Sequence, residues 1–249
     1  MFYTAEERFD CLLETIIASR YGVEIMVNFV NIAIDGPSGS GKSTLAKLLA
    51  KKLGYVYIDT GALYRTIGYF VCQKGVSSED EKTIVSLLPE IDITMKLVDG
   101  AGIVFLCGRA VGEEIRTSEI SQYASNVSKI PQVREFLLEL QKNIAATNNV
   151  IMDGRDIGTV VLPDAQVKIF LVANDDSRAK RRYDELVMRG DVVSEEQVKK
   201  DLLWRDKNDS QRKIAPAIPA KDAVMLDNSN LNREETVEAA MEIIRKKIV

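Results

Sequence analysis

Gly36-Pro37-Ser38-Gly39-Ser40-Gly41-Lys42-Ser43 decides how the rest of the chain is read. It fits the pattern G-x-x-x-x-G-K-[ST], a phosphate-binding loop. Glycines let the backbone curl so that successive N–H groups converge on phosphate oxygens. The loop runs into a helix, whose N-terminal dipole favours an anion. Lys42 supplies a charge to the β- and γ-phosphates, and Ser43 offers a hydroxyl to Mg²⁺. Gly36, Pro37, Ser38, Gly39, Ser40, Gly41, Lys42, Ser43 and Thr44 are therefore the expected ATP-binding segment. The context fits: an apolar strand, 31–35, precedes the loop, and Leu45, Ala46, Leu48 and Leu49 give the following helix a face that packs on a sheet. The motif alone leaves the reaction open, because motors, GTPases and small-molecule kinases share it.

Outward from this loop, strands and helices alternate. The spacing predicts a helix over 42–53 closed by Gly54, a strand over 55–59 and a helix from Thr60 to about Gln73. Ser78 and Glu81 have capping-box spacing and predict a short helix. Residues 91–97 and 103–107 alternate around Val98-Asp99-Gly100-Ala101-Gly102 and read as a β-hairpin. Helices are predicted near 117–128 and 132–146, the second entered at Pro131. Strands at 149–153 and 167–172 are short apolar runs of the buried parallel kind. Helices at 175–189 and 195–208, a strand at 223–226 and a helix at 233–247 complete the pattern. This order predicts an α/β fold with a doubly wound parallel sheet, the hairpin being an insert on it. Upstream, Thr4 and Glu7 can cap an amphipathic helix over 4–21, and Met26 offers an alternative start. Residues 1–29 then form an N-terminal extension to a domain spanning 30–249.

Three further clusters bear on the reaction. Asp59-Thr60-Gly61-Ala62-Leu63-Tyr64-Arg65 sets an arginine one turn inside a helix N-terminus, a second anion site near the first. Read alone it is only a capped helix with a surface arginine. Met152-Asp153-Gly154-Arg155-Asp156 ends an apolar strand, so Asp153 reads as the acid that holds the metal through water. Arg155 and Asp156 fall in the cleft beyond the strand ends, where α/β ligands sit. A salt bridge between Arg155 and Asp156 is the plain alternative. Arg178, Arg181 and Arg182 share one helix face and can close over polyphosphate as a lid. An ordinary solvated face is again the plain alternative.

The 249 residues carry 33 Lys+Arg against 37 Asp+Glu, a net charge of -4, which argues against a duplex nucleic-acid partner. Hydrophobic residues make up 46%, enough for a full core. No histidine is present, which excludes Ser-His-Asp and Cys-His nucleophile machinery and His-ligated metals. Cys11, Cys72 and Cys107 are too few and too scattered for a zinc site or a disulfide framework, which suits a reducing compartment. Acids interrupt the N-terminus at Glu6, Glu7, Asp10 and Glu14, unlike a signal peptide, and no apolar run reaches the ~18 residues of a membrane span. The expectation is a cytoplasmic monomer with no membrane partner.

The chain resembles the bacterial cytidylate kinases over about residues 30–249. IDGPSGSGKST (34–44), DTGALYR (59–65), GEEIRTSEIS (112–121), ASNVSKIPQVRE (124–135), DGRDIGTVVLPDA (153–165), VKIFLVA (167–173), RAKRR (178–182) and RDKNDSQRKIAP (205–216) carry the resemblance. It implies a P-loop nucleoside monophosphate kinase fold with a CMP-binding insert at about 83–112 and a helical lid at about 174–196. It implies Mg²⁺-dependent phosphorylation of CMP and dCMP by ATP. Ser125, Arg134 and Asp156 match cytosine-contacting positions, and Thr60 keeps a hydroxyl in the same site. Arg65, Arg155 and Arg212 match CMP-phosphate arginines, and Arg205 and Asp209 match ribose or phosphate contacts. Arg181 matches the lid arginine at the ATP base. Lys42, Arg155, Arg212 and Asp153 are the implied catalytic group, with Ser43 and Asp153 at the metal. An adenylate- or shikimate-kinase-like enzyme is the nearest alternative. A GTPase switch needs N-K-x-D, and Asp206-Lys207-Asn208-Asp209 has the wrong order.

Overall fold

The computed structural model of the chain describes residues 29–248; the predicted 4–21 helix, Met26 and Cys11 lie outside them. Five strands form the continuous parallel part of the sheet: β1 (Asn31–Asp35), β2 (Val56–Asp59), β6 (Val150–Asp153), β7 (Val167–Val172) and β8 (Val224–Asp227), in the spatial order β2-β6-β1-β7-β8. β1 is apolar through Ile32, Ala33 and Ile34, all fully buried, because helices cover both faces of the sheet. On one face lie α1 (Lys42–Leu53) and α8 (Arg233–Ile248), whose Leu45, Leu49, Met241 and Ile244 pack on Ile34, Ile169 and Leu171. On the other lie α2 (Thr60–Gln73), α4 (Ser118–Val127) and α5 (Pro131–Thr147), which share a core of Leu63, Ile67, Ile120, Val133 and Leu137.

The expected hairpin is present as β3 (Ile93–Val98) and β4 (Ala101–Leu106), with a two-residue strand β5 (Arg109–Ala110) beside β4. One expectation is corrected here. The turn is Asp99-Gly100 alone, both at positive φ (49° and 76°), so Val98, Ala101 and Gly102 belong to the strands. An Asp-Gly pair makes a tight turn whose twist matches the strands, and a five-residue loop is unnecessary. The hairpin also joins the sheet. β4 pairs in parallel with β2 at Tyr57–Ala101, so one eight-stranded mixed sheet results.

The short helix α3 (Glu81–Leu87) is capped by Asp80, whose carboxylate accepts from the Thr83 N–H at 3.1 Å, and not by the predicted Ser78 box. Beyond β7, α6 (Asp175–Met188) and α7 (Glu195–Ser210) pair through their own apolar cluster of Ala179, Leu186, Val198 and Leu202. Three neighbouring central strands, β1, β2 and β6, each end in an aspartate at the carboxyl edge: Asp35, Asp59 and Asp153. The cleft opens there.

Candidate active site

The cleft has a volume of about 780 Å³, and the basic side chains lining it outnumber carboxylates two to one. At one end sits the predicted phosphate loop. Gly36 is at φ 145°, and a Cβ there would fall 2.1 Å from the Leu171 carbonyl oxygen, so only glycine fits. Lys42 opens α1, is buried, and donates to the Pro37 carbonyl at 2.6 Å. Burial, then the charge of Arg155, pushes its ammonium well below the ordinary lysine range. Ser43 Oγ donates to Asp153 Oδ2 at 2.7 Å, and the Tyr57 hydroxyl donates to Asp153 Oδ1 at 2.9 Å. Burial and the neighbouring Asp59 push the Asp153 carboxyl upward, against the hydrogen bond from Ser43.

The other end is made of paired side chains. Asp59 caps α2 by accepting from the Ala62 N–H and holds Arg65 at 2.7 Å, with Arg116 at 3.6 Å. Burial opposes ionisation of Asp59, but the two arginines outweigh it and keep its carboxyl low. Asp156 does not pair with Arg155. Its carboxylate accepts from Arg134 and, at 3.1 Å, from Arg212, because β6 ends before it and the chain turns its side chain toward α5 and the segment after α7. Arg155 instead reaches Asp209 at 2.9 Å and Ser38 Oγ at 3.1 Å, which joins the two ends of the cleft. Asp209 also accepts from Ser125 Oγ at 2.9 Å. Arg205 lies 4.0 Å from Asp209, and its Nε has no hydrogen-bond partner. Burial, with Arg155 adding repulsion, pushes its guanidinium down to about 10. Such poorly compensated cations around a cleft suit a polyanion.

The family model "Cytidylate kinase" matches residues 32–246, nearly all of the described fold. The chain belongs to the cytidylate kinase family. It is 52% identical over 222 residues to the cytidylate kinase of Caldanaerobacter subterraneus subsp. tengcongensis, covering 89% of this chain and 97% of that one. It is 50% identical over 219 residues to the cytidylate kinase of Caldicellulosiruptor bescii, covering 88% and 97%.

In this family member the cleft gathers Lys42, Ser43, Thr44, Thr60, Arg65, Ser125, Arg134, Asp153, Arg155, Asp156, Arg181, Arg205, Asp209 and Arg212, residues widely separated in the sequence. Gly39 and Gly41 line it too, while Gly36, Pro37 and Ser40 support the loop from behind. The arginine face of α6 divides. Arg181 donates to the Asn228 carbonyl at 2.8 Å and Arg182 pairs with Glu185 at 2.8 Å, both on the cleft wall. Arg178 turns away, buried against the Ser38 carbonyl at 2.9 Å and Asp206. Asp206 in turn accepts from the Ser38 N–H at 2.9 Å, so Arg178 and Asp206 together hold the phosphate loop from outside. Sequence reasoning missed Tyr57, Arg116 and Asn228. Arg116 sat in the GEEIRTSEIS stretch, but nothing in that stretch shows that it reaches Asp59. Among the described residues no helix is long and apolar enough to cross a membrane.

Proposed function

We propose that the chain transfers the γ-phosphoryl group of ATP to CMP and dCMP, with ATP on the Gly36–Thr44 loop and the acceptor among Arg65, Arg134, Arg155, Asp156, Arg205, Asp209 and Arg212. The observation that carries this reading is the buried carboxylate of Asp156, held by two arginines in the same cleft as the phosphate loop.

A phosphate oxygen of CMP attacks the γ-phosphorus in line. The bond from the γ-phosphorus to the β,γ-bridging oxygen breaks, giving CDP and ADP. The nucleotide's second phosphate pKa is near 6, so the attacking oxygen carries its electron pair at about pH 7 without a general base. A chain without histidine is therefore equipped for the step. The difficulty is charge. Lys42 and the arginines neutralise two polyanions and fix their orientation. Arginine suits this because its planar fork binds phosphate oxygens in pairs and stays ionised. Arg181, on the lid wall, borders the ATP side of the cleft.

Ser43 and Asp153 fit Mg²⁺: a hydroxyl and a carboxylate oxygen 2.7 Å apart beside the phosphate loop are hard oxygen donors. They would hold the ion together with ATP phosphates, Asp153 through water. When bound, the ion supplies charge neutralisation at the β- and γ-oxygens.

Base choice follows from hydrogen-bond sign. Cytosine offers an amino donor that the Asp156 carboxylate accepts, whereas uracil sets a carbonyl oxygen against it. ADP release coupled to a dye, measured for every nucleoside monophosphate, tests the assignment. CMP and dCMP are expected to be the best acceptors; preference for AMP, or no transfer to CMP, would refute it.

A further inference from the structure

Asp35 ends β1, directly before the phosphate loop, and is only 4% exposed. Its two carboxylate oxygens accept from the N–H groups of Ile157 at 2.9 Å and Gly158 at 2.8 Å. Those donors open a single π-helical turn, Ile157–Val161, which the chain enters from Asp156. The first N–H groups of a helical turn have no partner inside it. An aspartate at the entering position ordinarily bends its own carboxylate back to cap them. Asp156 stands in that position at φ -143°, ψ 26°, and makes no such bond. Its carboxylate points to Arg134 and Arg212 instead.

We infer that Asp35 is a positioning residue that caps the Ile157–Val161 turn from the neighbouring strand and thereby frees the Asp156 carboxylate to face the acceptor base. The packing supports this. The Gly154 N–H donates to the Ile34 carbonyl at 3.1 Å, which sets the start of the acceptor loop against the end of β1. Gly158 approaches so closely that a Cβ there would lie 3.4 Å from Asp35 Oδ2 and 3.1 Å from Lys168. Burial pushes the Asp35 carboxyl up to about 6, against the pull of its two backbone donors; Asp156 raises it further and Lys42 lowers it. Above that pH it is an acceptor only, as two N–H groups require. Asp35 thus ties the root of the donor loop to the residue that reads the acceptor.

The inference rests on the CMP-kinase reading, and its test is a double-mutant cycle in the full chain at pH 8 with Asp35→Asn, Asp156→Asn and the pair. Asparagine keeps the shape but turns an amide donor against one of the two N–H groups. In Asp35→Asn the KM for CMP is expected to rise several-fold while kcat at saturating CMP and the KM for ATP change little. The ratio of kcat/KM for CMP over UMP should fall in each single variant and fall no further in the double, because both act through one carboxylate. An unchanged ratio in Asp35→Asn, or effects that multiply in the double, would overturn the inference. Asp35→Ser, which leaves room for a water, repeats the cycle if Asp35→Asn does not fold; loss of fold in both would make Asp35 a structural residue and overturn it as well. A wild-type chain inactive on CMP would refute the proposed function itself, a distinct result.

Discussion

The proposed donor end of the cleft is one contiguous stretch of backbone, Gly36 to Ser43, whereas the proposed acceptor end is side chains from five separate segments, carrying Arg65, Ser125, Arg134, Asp156, and Asp209 with Arg212. In the proposed function the two ends do the same task, holding phosphate, by different means. Main-chain N–H groups are placed by φ and ψ and tolerate almost no substitution at the glycines. The acceptor arginines are placed by carboxylates: Arg65 on Asp59, Arg134 and Arg212 on Asp156, Arg155 on Asp209. Asp156 and Asp209 are buried and Asp59 is half-buried, so removing one leaves its arginine short of a partner. A fault at the donor end should therefore abolish the reaction, and a fault at the acceptor end should change its selectivity.

The largest effect is expected from Lys42→Ala. Its charge has no substitute in the loop, so kcat/KM for CMP should fall by at least about 10²–10³-fold, the scale for losing one transition-state contact. Circular dichroism should be unchanged, and near-normal turnover would break the contrast at its strongest point. Gly36→Ala probes the backbone itself. The added Cβ meets the Leu171 carbonyl oxygen in a conformation unfavourable to any side chain. A stability loss of ~2–4 kcal/mol, read as a lowered Tm, follows from the overlap and the strained φ. An unshifted Tm would mean the loop relaxes more freely than its packing suggests.

Asp156→Asn probes the acceptor end. It should narrow the CMP/UMP ratio of kcat/KM by roughly 1–3 kcal/mol, the range for a good base-edge contact, with the KM for ATP nearly unmoved. If CMP and UMP efficiencies fall by the same factor, Asp156 serves only to hold Arg134 and Arg212. The smallest effect is expected from a chain starting at Met26. The family match begins at residue 32, downstream of the removed segment, and turnover should be close to that of the full chain. A large loss would add a third region to the comparison.

Local signals were legible wherever a few neighbouring residues set the geometry. The apolar run Asn31–Asp35, the loop glycines, and the helix spanning Lys42–Leu53 with Gly54 at φ 67° closing it were all readable from spacing and residue type. Even there the boundary details slipped. Asp80 won the cap of its helix over Ser78 because it lies directly against the first turn, and Asp99-Gly100 alone closed the hairpin.

Which partner each charge takes was set by the tertiary fold, because ion pairs form between residues far apart in the chain. Asp156 and Arg155 are adjacent, yet they face different partners, 22 and 54 positions away. The acceptor arginines could be named in advance only through the resemblance to a family, since no spacing brings Arg65, Arg134 and Arg212 together. Asp35 went unremarked beside the phosphate loop for the same reason. The parallel alignment of β1 with β6, which seats the acceptor loop against the end of β1, exists only once the sheet is formed. Residue type and spacing alone specify the phosphate loop, the αβ alternation and the stock of arginines. The folded sheet decided which carboxylate holds which arginine, because the partners come from segments that only the tertiary fold brings within ion-pair distance.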